Sequence, residues 1–204
     1  EVNFNEIQAE VLIVGTFKHP ENTTNWSEFV SFYGSSLDKW LKTGDVSTDR
    51  KKLTKLPTLQ EGKLQRVFFV GLGDRKTLTQ DDLRGIFGTV GKELVTSKTT
   101  NVSIWLDSFT NEEIEIDDAS YLAAEGISMG LYQVPNYKTS SNSTDTYLDN
   151  VELLTNSDNQ EILAYFEVGQ VYGESVNEAR TLVNMPSNVL TATKMAEYAK
   201  ELAE

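Results

Sequence analysis

Leu64-Gln65-Arg66-Val67-Phe68-Phe69-Val70-Gly71-Leu72-Gly73-Asp74, followed by Thr79-Gln80-Asp81-Asp82 and the series Leu83, Ile86, Phe87, Val90 and Leu94, decides the fold class. The first part is too continuously apolar for a strand with one wet face and suits a strand covered on both. Its glycines allow a sharp exit. Thr79 can cap a helix through its hydroxyl, and Asp81 and Asp82 suit the positive end of the helix dipole. The apolar residues beyond them fall on one helical face. A buried strand feeding an amphipathic helix is the unit of a layered α/β domain.

The pattern recurs on both sides. Val11-Leu12-Ile13-Val14-Gly15-Thr16-Phe17 is a second near-continuous apolar run, and Asn101-Val102-Ser103-Ile104-Trp105-Leu106 a third. Weaker strand signals lie at Val2 and Phe4, over 52–59, and at Val151, Leu153 and Leu154, with Glu61-Gly62 as a hairpin turn into the buried strand. Leu37, Trp40 and Leu41 predict a short helix ending at Gly44, while Trp26, Phe29, Val30, Phe32 and Tyr33 form an aromatic patch whose secondary structure the spacing leaves open. Asp118 is expected to cap a helix through Leu131, with Leu122, Ala123, Ile127 and Leu131 inward and Gly126 and Gly130 permitting close packing. Asn159 is expected to open a long helix on which Gly169 and Gly173 form a small-residue stripe. Gly85, Gly88 and Gly91 recur every three residues in the helix after Thr79. Each costs about 1 kcal/mol of helix propensity relative to Ala, and close approach to the sheet is the expected compensation. The expected order is β, β, α, β, β, α, β, α, β and a long α, around a mostly parallel or mixed sheet.

Composition narrows the function classes. At 204 residues, 39% hydrophobic and 24% charged, the chain is an ordinary globular polypeptide. No run approaches the roughly 18 apolar residues of a membrane helix, and the start lacks a signal peptide's basic, apolar and small-residue regions. The cytoplasm is the expected compartment. Without cysteine there is no disulfide, thiolate metal site or Cys nucleophile. The net charge of −13 argues against a polyanionic partner, but it is unevenly spread. Residues 50–98 carry 11 Lys and Arg against 5 Asp and Glu, and the remainder 7 against 26. DNA binding would have to use that basic segment.

Three features are candidates for chemistry. His19, the one histidine, sits beside Pro20 in a polar loop and is expected to be exposed and idle. Gly71-Leu72-Gly73 after a strand is similar to a dinucleotide loop, but position 76 is Lys where a third glycine belongs, and the helix begins late, at Thr79. Glu112, Glu113, Glu115, Asp117 and Asp118 lack the alternating ligands and central glycine of a calcium loop and are expected to be a solvated face. The expectation is therefore no catalytic, cofactor-binding or metal residue within the 204.

Ala179-Arg180-Thr181-Leu182-Val183-Asn184-Met185-Pro186-Ser187-Asn188-Val189-Leu190-Thr191 ends one helix and begins another. Pro186 biases Met185 away from the α region, and Thr191 can cap a second helix with Met195, Tyr198, Ala199 and Leu202 on one face. This wording resembles the entry to the catalytic domain of the leucyl aminopeptidase (M17) family. Phe69-Val70-Gly71-Leu72-Gly73-Asp74 and the stretch from Ala124 through Gly126, Gly130 and Tyr132 to Asn136-Tyr137-Lys138 are similar to two upstream elements of that family, in family order. Met129 and Val134 stand where the family has Leu and Phe. The resemblance implies an α/β, macro-domain-like layered sheet with helices on its faces over 1–155. A long linker helix and the first helix of a truncated catalytic domain would fill 156–204. It also implies a parent that removes N-terminal residues such as Leu from peptides with two divalent metals, Zn or Mn, and assembles as a hexamer through its catalytic domains.

The metal-ligand stretches of the family, K-G-x-x-F-D-x-G-G and N-T-D-A-E-G-R, do not occur in the chain. Its catalytic Lys and Arg belong to that part too, so Lys194 and Arg180 do not inherit those roles. Glu1 in place of Met, and a final predicted helix without a stop signal, fit an excised piece of a longer protein. The segment itself is expected to be inactive and to position the catalytic domain, with the stripe at Gly169 and Gly173 as a partner surface. The alternatives are a macro-type module for ADP-ribose or another nucleotide, or a DNA-binding accessory domain.

Overall fold

The computed structural model describes residues 2–58, 66–134 and 148–203. The expected turn at Glu61-Gly62, the family residues Asn136, Tyr137 and Lys138, and the polar loop 139–146 lie outside the described residues.

Five strands, β1 (Val11–Phe17), β2 (Leu53–Pro57), β3 (Arg66–Gly73), β4 (Asn101–Trp105) and β5 (Asn150–Leu154), form one sheet in the order β2-β3-β1-β4-β5. β1 runs parallel to β3 and β4, β4 runs parallel to β5, and only β2 is antiparallel, at the edge beside β3. The strand period of two sends Val11, Ile13 and Phe17 to one face and Leu12 and Val14 to the other, all buried. The first face is covered by α3 (Gln80–Ser97) and α4 (Ile116–Leu131) through Leu83, Ile86, Phe87, Val90, Leu122 and Ile127. The second is covered by α1 (Trp26–Tyr33) and α2 (Ser36–Thr43). There Trp26, Phe29 and Leu37 pack with Phe4, Phe69 and Trp105. The aromatic patch is thus a helix and its use is core. Outside this sandwich α5 (Ile162–Asn184) lies on α4, and α6 (Ala192–Glu201) follows.

Four expectations are corrected. Phe4 lies in a 3-10 turn, Phe4–Glu6, because the Asn3 side chain caps Asn5 N–H and the Phe4 ring packs edge-to-face against both Phe29 and Trp105. The cap of α4 is Glu115, and Asp118 is its reciprocal partner one turn in. α5 begins at Ile162, since the Asn159 side chain accepts from Glu161 N–H and holds a turn before the helix. The glycines of α3 meet a helix and a lysine, and the sheet is not their neighbour. A Cβ at Gly91 would come within 2.5 Å of Ile127 O and 2.9 Å of Gly130 Cα, and one at Gly85 would meet Lys51.

Candidate functional site

In a largely parallel sheet, ligands bind beyond the carboxyl ends of the strands, here where β1 neighbours both β3 and β4. The backbone there is already committed. Gly71 N–H donates to Lys52 O and Gly73 N–H to Thr48 O, each at 2.8 Å, so residues 48–52 lie across the turn that a phosphate would need. A Cβ on Gly71 would fall 2.1 Å from Asp49 O, and Gly73 has φ +77°. The glycines serve this crossing, which spacing along the sequence could not reveal because its partners are twenty residues away.

The β1 side is closed in the same way. Ser108, in the 3-10 turn Leu106–Phe109 after β4, accepts from Gly15 N–H at 2.8 Å and donates to Trp105 O at 2.6 Å. A Cβ on Gly15 would meet Ser108 O at 2.5 Å. Phe109 packs at a tilt against Phe87, with ring centroids 4.7 Å apart, and the Arg75 guanidinium lies 4.5 Å over the Phe17 ring. Burial lowers the Arg75 pKa, with Glu112 pulling it back up. Asn111 ties this end together by donating to Arg75 O and Leu78 O. Nearby, Asp107 accepts from Asn156 N–H at 3.1 Å, and burial raises its carboxyl above the usual range despite that bond.

The remaining sequence candidates separate. His19 is exposed, with Nδ1 3.3 Å from Glu21, on the rim of an open cleft of about 530 Å³ between residues 18–21, α1 and α2. The acidic run divides its work: Glu115 and Asp118 cap α4, and Asp117 accepts from Asn159 at 2.6 Å. No three His, Cys, Asp or Glu side chains converge as a metal site among the described residues. Three cations of the basic segment are paired within the domain. Arg50 binds Asp82 at 2.8 Å and Thr77, Lys55 binds Glu93 at 2.8 Å, and Arg84 binds Glu125 at 2.6 Å and also Asp81.

What the arrangement does build is a helix–helix seat. Gly169 and Gly173 are buried, and Cβ atoms there would lie 2.2 Å from Tyr121 O and 2.6 Å from Ser128 Cβ. The expected partner surface at these glycines is thus corrected: α4 of the same chain occupies it. One turn on, Asn177 donates to Ser128 O and Arg180 to Met129 O, with the Arg180 guanidinium 4.0 Å over the Tyr132 ring. These donors meet carbonyls at the end of α4 that the helix leaves unpaired. Lys194, by contrast, is exposed and paired with Glu197 at 2.8 Å. α5 ends at Asn184 with Met185 extended, and the Thr191 hydroxyl caps α6, both as the sequence predicts.

Comparison with known proteins yields related findings. The profile of the cytosol aminopeptidase family, N-terminal domain, matches residues 13–141. A probable cytosol aminopeptidase of Bacillus licheniformis is 38% identical over 196 residues, which are 96% of this chain and 40% of that protein. The chain therefore spans about two fifths of that relative. Among solved structures, a mutant of tomato leucine aminopeptidase superposes on the whole chain and 41% of its own, with TM-score 0.80 and 20% identity. The macrodomain of Mycobacterium tuberculosis DarG superposes on 76% of the chain and 95% of its own, with TM-score 0.54 and 10% identity, a likeness of fold.

Proposed function

The chain belongs to the cytosol aminopeptidase family as its N-terminal domain, and on that premise we propose that it is the non-catalytic part of a metallo-aminopeptidase. The parent removes N-terminal residues such as leucine from peptides in the cytoplasm. Its two divalent metals, zinc or manganese, and the side chains that bind them belong to a catalytic domain beyond these residues. Two such ions, held there, would supply Lewis-acid polarisation of the scissile carbonyl and an acidified water as nucleophile. Residues 1–155 are the macro-like unit, and residues 156–204 carry the linker helix and the first catalytic-domain helix. The segment positions the catalytic domain and supports a homo-oligomer, a hexamer in the full-length protein.

One observation carries this reading: the family match over residues 13–141 is to the N-terminal domain, in a chain that spans 40% of a probable cytosol aminopeptidase. The test is hydrolysis of leucine p-nitroanilide with added Zn²⁺ or Mn²⁺. The full-length protein is expected to turn it over and the 204-residue segment to leave it intact, so metal-dependent turnover by the segment would overturn the proposal. The macro-type alternative has fold likeness alone behind it. The Gly71 and Gly73 donors spent on Lys52 and Thr48 stand against it. Calorimetric titration with ADP-ribose is expected to give no binding heat, and a low-salt gel shift with DNA no complex.

A further inference from the structure

Beyond the carboxyl end of β1 the chain forms a cleft of about 530 Å³, a size typical of small-molecule sites. Four separate segments wall it: residues 18–21 after β1, α1, α2, and Thr48 of the strap that crosses β3. Backbone bonds fix two of them to the sheet. Lys18 N–H donates to Gly73 O at 3.0 Å, and Gly73 N–H donates to Thr48 O at 2.8 Å. The apolar wall is Trp26, Val30 and Leu41. Trp26 is buried and lies parallel to the Trp105 ring, within 11° and with centroids 6.3 Å apart, so this side of the cleft is preformed.

Charge then selects the ligand. Lys18 and Lys42 bring two ammonium groups to the lining, and Glu21 and Asp38 bring two carboxylates. Glu21 is engaged by His19 Nδ1 at 3.3 Å. The side chains of Lys18, Lys42 and Asp38 make no hydrogen bond or ion pair among the described residues. A phosphate or nucleotide would set its negative charge against Asp38 and Glu21, and a polyamine would set its positive charge against both lysines; like-charge juxtaposition of this kind rejects a ligand. One carboxylate, one ammonium and an apolar side chain complement the three unpaired groups and the wall together. We propose that this cleft binds a small zwitterion with an apolar side chain, the chemistry shared by a free amino acid and a short peptide. Lys18 and Lys42 receive its carboxylate, Asp38 its ammonium, and Trp26, Val30 and Leu41 its side chain. All of these groups lie between Lys18 and Thr48, so the cleft binds its ligand whether or not a catalytic domain follows.

The test is an amide NMR titration of the 204-residue chain with leucine and with leucyl-leucine. Both are expected to shift the amides of Lys18, Trp26, Asp38 and Lys42 saturably, and the tighter of the two tells whether an amino acid or a peptide is the ligand. N-acetyl-leucine lacks the ammonium and leucinamide the carboxylate. Each should bind roughly three- to fivefold more weakly than leucine, the scale of one exposed charge pair. Two variants separate a binding role from a structural one. D38N should bind leucine and N-acetyl-leucine alike, and the double variant K18Q/K42Q should bind leucine and leucinamide alike. Asp38, Lys18 and Lys42 are exposed, so both variants should keep the wild-type thermal melt. The absence of a saturable shift, shifts that map elsewhere on the domain, or equal affinity of the wild-type chain for leucine, N-acetyl-leucine and leucinamide would each overturn the proposal. So would tighter binding of ADP-ribose than of leucine at the same amides, which would make the cleft an anion site.

Discussion

Gly88 and Gly91 lie three residues apart on α3, and replacement by alanine is expected to raise stability at the first and to leave it unchanged or lower it at the second. An added Cβ at Gly88 has Gly126 O as its nearest neighbour, at 3.7 Å, an ordinary contact. G88A should therefore realise the helix-propensity gain of about 1 kcal/mol. At Gly91 the same atom would lie 2.5 Å from Ile127 O and 2.9 Å from Gly130 Cα. Both are backbone atoms, so no side chain can swing aside and the two helices must separate by roughly 1 Å. Overpacking of this kind costs about 1–3 kcal/mol, which offsets or exceeds the propensity gain. The two variants should thus differ by about 1–3 kcal/mol. With an m-value of about 3 kcal/mol/M, at the upper end for small proteins, their urea midpoints should separate by roughly 0.3–1 M. Far-UV circular dichroism of the 204-residue chain in a urea series measures this directly. Equal shifts in the same direction would refute the close α3–α4 seam.

Three further outcomes are expected. S108A removes the acceptor of the buried Gly15 N–H and should lower stability by about 1–3 kcal/mol, measured by the same urea series, whereas S31A, on the exposed side of α1, should change little. At Asp82, burial raises the carboxyl pKa, but hydrogen bonds from Thr79 and the charges of Arg50 and Lys51 outweigh it and the net shift is downward. Its stabilisation is present above the unfolded value near 3.8 and is lost as pH falls through the lower folded value; thermal melts of wild type and D82N should converge there, and an equal gap at all pH would contradict it. Burial pushes the Tyr33 hydroxyl up to about 12, so its stabilisation is complete below the unfolded value of 10 and is lost as pH rises toward 12. The difference between wild-type and Y33F phenolate absorbance titrations should show that late step, and a Y33F difference titrating near 10 would exclude it.

The physics of local structure was legible in the residues. The apolar runs at 11–17 and 66–73 are β1 and β3, Thr79 and Thr191 cap α3 and α6, and Pro186 marks the end of α5. Each depends on neighbours within a few positions. The misread features depend on distant ones. Asp118 satisfies the spelling of a cap, yet Glu115 holds that place because the reciprocal pair uses Asp118 one turn in. The stripe at Gly169 and Gly173 looked open because nothing in its own helix names α4 as the partner.

By itself the sequence determined the alternation of buried strands and amphipathic helices, the α/β class and, through its wording, the family. Hydrophobic period, capping chemistry and proline sterics are short-range and can be read one window at a time. Only the tertiary structure decided what the glycines are for. Gly71 and Gly73 give their N–H groups to the strap at 48–52, and Gly91, Gly126 and Gly130 bring α3 and α4 together. Gly169 and Gly173 fasten α5 to the domain it was expected to leave. A missing side chain carries no record of which backbone will fill its space, because close approach is set by both partners and the second lies far along the chain.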